Sequence, residues 1–292
     1  MIFLYIIIIL ASLFLLYHLV WYLIYKRNFV AVLMYHRVTD DEKPNDLRYQ
    51  MHKGSMLDLD TMKVKPDVFE KQMAYLKKKK FITKHLDDLI FSNCNKNVYI
   101  TFDDGYYDNY ENAYRILKKY DLCATFFLTA GLIENRDYMP IDKNDDRDIN
   151  KLMNWNEIKT MVDNGMQMGS HTLYHNFLTN SGVNLEEEIV NSKIFLENRI
   201  GSQIDVFAYP AGMYNDKVLE LVKENYSCAV ITSRGADFSS KSKDVYLIER
   251  ETISSTDSMF MFKLKLYGIH RFLRKLPWVN LLKKVLRWIL KH

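Results

Sequence analysis

Two aspartates and two histidines carry the strongest chemical signal in the chain of 292 residues. Asp103 and Asp104 stand together ahead of Gly105 in TFDDG (101–105). Adjacent carboxylates point in different directions, and the glycine permits the turn that presents them. One can hold a metal ion while the other stays free as a base. His171 and His175 are four residues apart. On a helical turn that spacing puts both imidazoles on one face, able to share an ion. Two histidines and one carboxylate leave coordination positions open, the arrangement of a catalytic metal rather than a structural one. Each motif alone is weak, since Asp-Asp-Gly is usually a turn and a lone His is usually a satisfied surface or core residue.

The elements that must position these residues are short apolar runs. AVLMY (31–35), VYITF (98–102), CATFFLT (123–129), MQMGS (166–170), VFAY (206–209), CAVIT (228–232) and VYLI (245–248) read as buried strands. Helical patterns fall between most of them, at 66–79, 109–120, 185–200 and 216–225 and around Ile158, Met161 and Val162. Pro66 suits a first helical turn, Asn184 with Glu187 is close to a capping box, and Asn154 or Asn156 and Asn215 can cap. Alternating strands and helices predict a parallel sheet with right-handed crossovers. The fold class is therefore α/β, a distorted (β/α) barrel of about seven parallel strands, with an open doubly wound sheet as the alternative. The polar segments 37–63 and 134–153 read as loops over one barrel end. His36, Asp103, Asp104, His171, Pro210-Ala211-Gly212 and Arg234 all follow strands, at the face where parallel barrels put their active sites.

Composition narrows the partners. The chain is 48% hydrophobic and 26% charged with 10 Gly and 5 Pro, which excludes collagen-like and mainly disordered classes. Its 3 Cys form no disulfide framework and no CxxC zinc knuckle. The net charge of +4 hides a split: residues 258–292 hold nine Lys/Arg and no acid, so 1–257 nets 4 − 9 = −5. An acidic body argues against nucleic acid as a partner. Residues 1–25 carry no Asp, Glu, Lys or Arg, and Tyr17, Trp21, Tyr22 and Tyr25 gather at the far end. That predicts a single-pass transmembrane anchor over 1–27. After Met259 the tail reads as two helical pieces split by Pro277, the second amphipathic, with Lys283, Lys284, Arg287 and Lys291 off its apolar stripe. We expect 258–292 to lie on a lipid surface, with an ordinary docked helix as the alternative. The expected organisation is thus an anchor at 1–27, a catalytic domain at 28–257 and a basic tail at 258–292.

TFDDG (101–105), SHTLYH (170–175) and FAYPAG (207–212) resemble the first three motifs of the NodB-type polysaccharide deacetylases. VLMYHRV (32–38) and LIERETI (247–253) resemble the flanks of the IcaB-like poly-N-acetylglucosamine deacetylase branch. The likeness covers roughly residues 30–255. It implies metal-dependent hydrolysis of the acetamide C–N bond of amino sugars, with acetate and a free amine as products. Carried over by position, Asp103 is the base, Asp104, His171 and His175 hold the metal, and the Ala211 N–H faces the oxyanion. The metal is then most simply Zn²⁺, with Co²⁺, Ni²⁺ or Fe²⁺ as other candidates.

Two departures from the family pattern concern this chain. Ala208 stands where many members have an arginine that orients the base, and Arg250 or Arg234 is left to take that role. The stretch 247–253 lacks the histidine that serves many members as general acid, so either Asp103 returns the proton or His36 supplies it. Tyr106, Tyr174, Tyr209 and Trp155 are candidate sugar contacts. The expected substrate is a poly-N-acetylglucosamine-like glycan. Peptidoglycan, chitin oligomers or a lipid-linked amino sugar are the alternatives within the class, and a non-catalytic glycan-binding protein is the alternative outside it. We expect a monomer in the cell membrane. The resemblance favours an extracytoplasmic catalytic domain, whereas Lys26 and Arg27 argue the opposite by the positive-inside rule.

Overall fold

The apolar runs form a closed parallel barrel in the computed structural model, which describes residues 2–27, 29–41, 48–50, 56–90, 96–142, 148–232, 244–274 and 276. A helix, α1 (Ile2–Arg27), leads into β1 (Ala31–Tyr35). Two small pairs follow: β2 (Arg37–Val38) with β5 (Lys63–Val64), and β3 (Arg48–Gln50) with β4 (Met56–Asp58). The remaining strands are β6 (Ile82–Thr83), β7 (Asn97–Phe102), β8 (Thr125–Leu128), β9 (Gln167–Ser170), β10 (Val206–Ala208), β11 (Cys228–Thr232) and β12 (Ile248–Thr252). The order β1-β12-β11-β10-β9-β8-β7 closes because β1 also pairs with β7, giving seven parallel strands. β6 lies beside the start of β7, and β8 takes over at Thr101 and Phe102. The seam between β9 and β10 is narrow, with the single register pair Phe207 and Ser170.

Period-two alternation divides the strand side chains between lumen and wall. Val32, Tyr99, Phe127, Val206, Ala208, Cys228 and Val230 fill the interior as one cluster. Their sequence neighbours Leu33, Ile100, Phe126, Phe207 and Ile231 face outward under helices α2 (Pro66–Lys78), α3 (Arg115–Lys119), α4 (Ala130–Asn135), α5 (Trp155–Asp163), α6 (Ser192–Ile200) and α7 (Asp216–Asn225). In α2, Phe69, Met73 and Leu76 are fully buried at i, i+4, i+7 spacing. Each is worth about 1.5–3 kcal/mol of apolar burial. Pro66 opens α2, Asn154 caps α5 in a full capping box with Glu157, and Asn215 caps α7. The helices expected at 109–120 and 185–200 each begin as a π-helical turn, Asn109–Tyr114 and Glu186–Asn191.

Three expectations need correction. The segments 37–63 and 134–153 are not plain loops: the first holds β2 to β5, and the second holds the end of α4 and short 3₁₀ turns at Pro140–Asp142 and Asp148–Asn150. The last strand is 248–252 rather than 245–248, because its buried residues are charged. The boundary at 257 does not hold either. Helices α8 (Met259–Leu266) and α9 (Ile269–Arg274) pack on the barrel, with Phe262, Leu266 and Phe272 buried. Their basic charges are met by acids from elsewhere in the chain. Lys265 pairs with Asp257, and His270 and Arg271 both bond the Glu251 carboxylate, at 2.8 and 2.9 Å. A tail without acids thus docks on acids of β12 and the turn after it. The amphipathic stretch after Pro277 lies outside the described residues.

The N-terminal run does form one helix. Its last turns rest on α9, where Tyr22 Oη donates to the Tyr267 carbonyl and the Tyr22 and Tyr25 rings meet Phe272. Side chains of α1 are described at Tyr5 and 12–26, and most apolar ones there are exposed. Among the described residues no helix is long and apolar enough to cross a membrane.

Candidate active site

Asp104, His171 and His175 form a metal-ligand cluster whose donor atoms all lie within 4.8 Å of one another. Asp104 follows β7, and His171 follows β9. Asp104 Oδ1 is 3.5 Å from His171 Nε2 and 3.6 Å from His175 Nε2. Tetrahedral bonds of about 2.1 Å put neighbouring donors about 3.4 Å apart, so these three fit a zinc-like ion. His171 Nδ1 donates to the Ala208 carbonyl at 2.7 Å, which leaves Nε2 as the free lone pair. Burial holds both imidazoles below their ordinary pKa, in the neutral form that ligates; for His175 the neighbouring His171 adds to the effect. The two histidines do not share a helical face, as the spacing had suggested. They stand on a turn in which Thr172 (φ 71°) and His175 (φ 57°) are left-handed.

Asp103 forms the other half of the site. It is nine-tenths or more buried, and both its oxygens accept from Arg250, at 2.6 Å from Nη1 and 2.6 Å from Nη2. Arg250 is itself fully buried inside the barrel, over the Phe127 ring, and also donates to Thr101 Oγ1. Burial alone would raise the Asp103 carboxyl, but the Arg250 charge, with smaller help from His171 and His36, holds it well below the usual carboxylate range. Of the two candidate arginines, Arg250 is the one that meets Asp103; Arg234 lies outside the described residues. His36 Nε2 is 3.9 Å from Asp103 Oδ2. Burial pushes His36 down to about 4, against the opposing pull of Asp103.

A cavity of about 500 Å³ joins His36, Asp103, Asp104, His171, His175 and Ala211, and runs on past Thr252 and Ser254 towards Lys265, His270 and Arg274. Ala211 is left-handed (φ 54°), and its N–H has no backbone partner among the described residues. Among the described residues, four of the seven non-glycine residues with positive φ lie at the site: Asp104, Thr172, His175 and Ala211. Such conformations cost about 1–3 kcal/mol each and persist only where surrounding structure fixes them.

The proposed sugar contacts fare differently. Tyr106 is buried, with its hydroxyl on Asp142 and Arg37 over its ring. Tyr209 is fully buried. Trp155 packs on Phe195 and donates from Nε1 to Glu134. Tyr174 is partly exposed but covers Gly131. None of the four lines the cavity. The structure adds supports that spacing did not reveal. Thr129 Oγ1 donates to the Asp104 carbonyl, and Asn109 Nδ2 donates to the His36 carbonyl. Thr129 ends an expected strand at the same rim, a signal that was available; Asn109 opens a π-helical turn, which no pattern announces.

Comparison with known proteins agrees with this geometry. The sequence model of the polysaccharide deacetylase family matches residues 92–226. A Bacillus subtilis protein assigned by name to the polysaccharide deacetylases is 32% identical over 163 residues, 54% of this chain. The chain spans about half of that relative, 52%. The Staphylococcus aureus poly-β-1,6-N-acetyl-D-glucosamine N-deacetylase is 28% identical over 217 residues, covering 68% of this chain and 70% of that one. A Streptococcus pyogenes deacetylase solved in complex with acetate superposes with a TM-score of 0.63 at 25% identity, covering 81% of this chain and 97% of that one. With its rim of Asp103, Asp104, His171 and His175 on a seven-stranded barrel, the chain is similar to the polysaccharide deacetylases, whose family model matches its residues 92–226.

Proposed function

We propose that the chain removes N-acetyl groups from a poly-N-acetylglucosamine-like polysaccharide, using a divalent metal held by Asp104, His171 and His175. One observation carries the reading: a buried, Arg250-clamped Asp103 opens into the same cavity as the ligand cluster and the Ala211 N–H. Two neutral imidazoles and a carboxylate suit Zn²⁺, and such an ion supplies Lewis-acid polarisation of the acetyl carbonyl and of water.

The chain's own residues supply the rest. Asp103, held ionised by Arg250, takes a proton from the attacking water. The Ala211 N–H donates to the oxyanion as the carbonyl carbon becomes tetrahedral. His36 stays neutral near pH 7, with its pKa lowered to about 4. We therefore assign the proton that reaches the leaving amine to Asp103, which gained it from water. The C–N bond breaks, and acetate and a free amine leave. The polymer is taken from the S. aureus relative's name, and the cavity's extension beyond the metal cluster gives a neighbouring sugar room.

We also propose that the exposed apolar face of α1 tethers the chain to a membrane and that the barrel lies outside the cytoplasm, where exported glycans are modified. Leu13, Leu15, Leu16, Leu19, Leu23 and Ile24 are all exposed. An assay of acetate release from poly-β-1,6-N-acetylglucosamine, chitin oligomers and peptidoglycan, before and after chelation, tests the activity. Release from the first polymer that chelation abolishes is expected. Release from none of the three, with metal supplied, would sink the reading.

A further inference from the structure

The N–H groups of Thr172 to His175 and the carbonyls of Thr172 and Leu173 are all hydrogen-bonded, and one residue ties more of this turn than any other. Glu188 sits in the π-helical turn Glu186–Asn191 and is 3% exposed. Its Oε2 accepts from the Leu173 N–H (3.0 Å) and the Tyr174 N–H (3.1 Å), and its Oε1 accepts from Asn176 Nδ2 (2.7 Å). These three donors lie between and just beyond the two histidines. On the opposite side, Ala130 N–H donates to the Thr172 carbonyl, and Gly131 and Leu132 N–H donate to that of Leu173. His175 N–H is held by Thr172 Oγ1 at 2.9 Å.

The left-handed backbone at Thr172 and His175 is what brings His175 Nε2 back beside His171. A turn with two such residues relaxes unless its polar groups are pinned, because L-residues prefer the right-handed region. The Leu173 and Tyr174 N–H groups both donate to Glu188, and without that acceptor they would be left unsatisfied. A π-helical turn widens the coil by one residue, and such turns recur at functional positions. Here it carries the carboxylate that faces the histidine turn.

We infer that Glu188 is a positioning residue for the metal centre: its carboxylate fixes the 172–176 turn and so sets where His175 presents its lone pair. The inference rests on the metal reading above, extending it to a residue that touches neither metal nor substrate.

Co²⁺ provides the probe, since its visible absorption reports a tetrahedral site independently of turnover. The full chain is titrated with Co²⁺ as wild type, Glu188→Gln, Glu188→Met and Leu196→Ala. Glu188→Met fills the space but accepts nothing, and Co²⁺ affinity should fall about 10–100-fold, the scale for losing a partner that orients a ligand. Glu188→Gln keeps a carbonyl for both N–H groups and should stay close to wild type. Leu196→Ala loosens the same helix elsewhere and should lower Tm without changing affinity. Wild-type affinity and spectrum in Glu188→Met, or an equal loss in Leu196→Ala, would overturn the inference.

If the wild type takes up no Co²⁺, the metal reading fails. Amide exchange at Leu173 and Tyr174 in the ion-free protein then decides the positioning role alone. Faster exchange in Glu188→Met, but not in Leu196→Ala, supports it, and unchanged protection overturns it.

Discussion

The two halves of the site are held by different means. Asp103 ends a strand, and one side chain from another strand clamps both its oxygens. The histidine half is a left-handed turn held by hydrogen bonds to its backbone, from Glu188, Thr172 Oγ1 and the first residues of α4. Asp103 therefore depends on one buried ion pair, whereas the histidine turn depends on a distributed shell. A base needs its protonation state fixed, and a single arginine does that. Ligands need their directions fixed, which takes many small contacts.

Four predictions test that contrast, beginning with the largest effect. Asp103→Asn should keep the metal and lose about 10²-fold or more in kcat, whereas His171→Ala should lose the metal outright. Metal content beside acetate release separates them. If Asp103→Asn loses metal and Asp104→Asn keeps it, the two carboxylates are assigned the wrong way round.

Arg250→Met comes next. It leaves a buried carboxylate without its cation, and urea unfolding should show a loss of about 3–5 kcal/mol. A loss below about 1 kcal/mol would mean that the base does not depend on this pair.

The third concerns pH. His36 titrates at about 4 in the folded chain against 6.5 unfolded, so the unfolded state binds more protons between those values. Its contribution is complete above about pH 6.5 and is lost as pH falls towards 4, by up to about 3 kcal/mol. Unfolding followed across that window should show the decline, and His36→Asn should flatten it. An unchanged slope in the variant would show that another group sets it.

The smallest effect is expected for Trp155→Phe. Losing the Nε1 bond to Glu134 should cost about 0.5–1.5 kcal/mol and leave KM for glycan unchanged. A raised KM would return Trp155 to the substrate path.

The rim residues were readable in the sequence because their strands are apolar and their side chains follow directly. The runs 31–35 and 228–232 became strands with those limits, and Asp103, Asp104 and His171 followed from strand ends. Arg250 was harder to place. β12 buries Arg250 inside and Glu251 outside, so the strand lacks the apolar pattern that marks its neighbours, and the reading stopped at Ile248. The histidine turn was expected to be helical because spacing reports sequence distance, not φ. Tyr106 and Tyr209, expected as sugar contacts, are buried, and the sequence does not separate the two because the same aromatic residues serve to fill a core. The docking of α8 and α9 was hidden because their charge partners lie in β12 and the turn after it, and local composition cannot show a long-range pair.

The narrow seam between β9 and β10 has a mechanical consequence. Where one register pair joins those strands, the His171 imidazole reaches across from the end of β9 to the Ala208 carbonyl of β10. The side chain acts as a rung in a ladder that is otherwise almost missing. Parting the staves there and letting the imidazole swing free are the same event, so an ion on Nε2 would act as a rivet for the whole hoop.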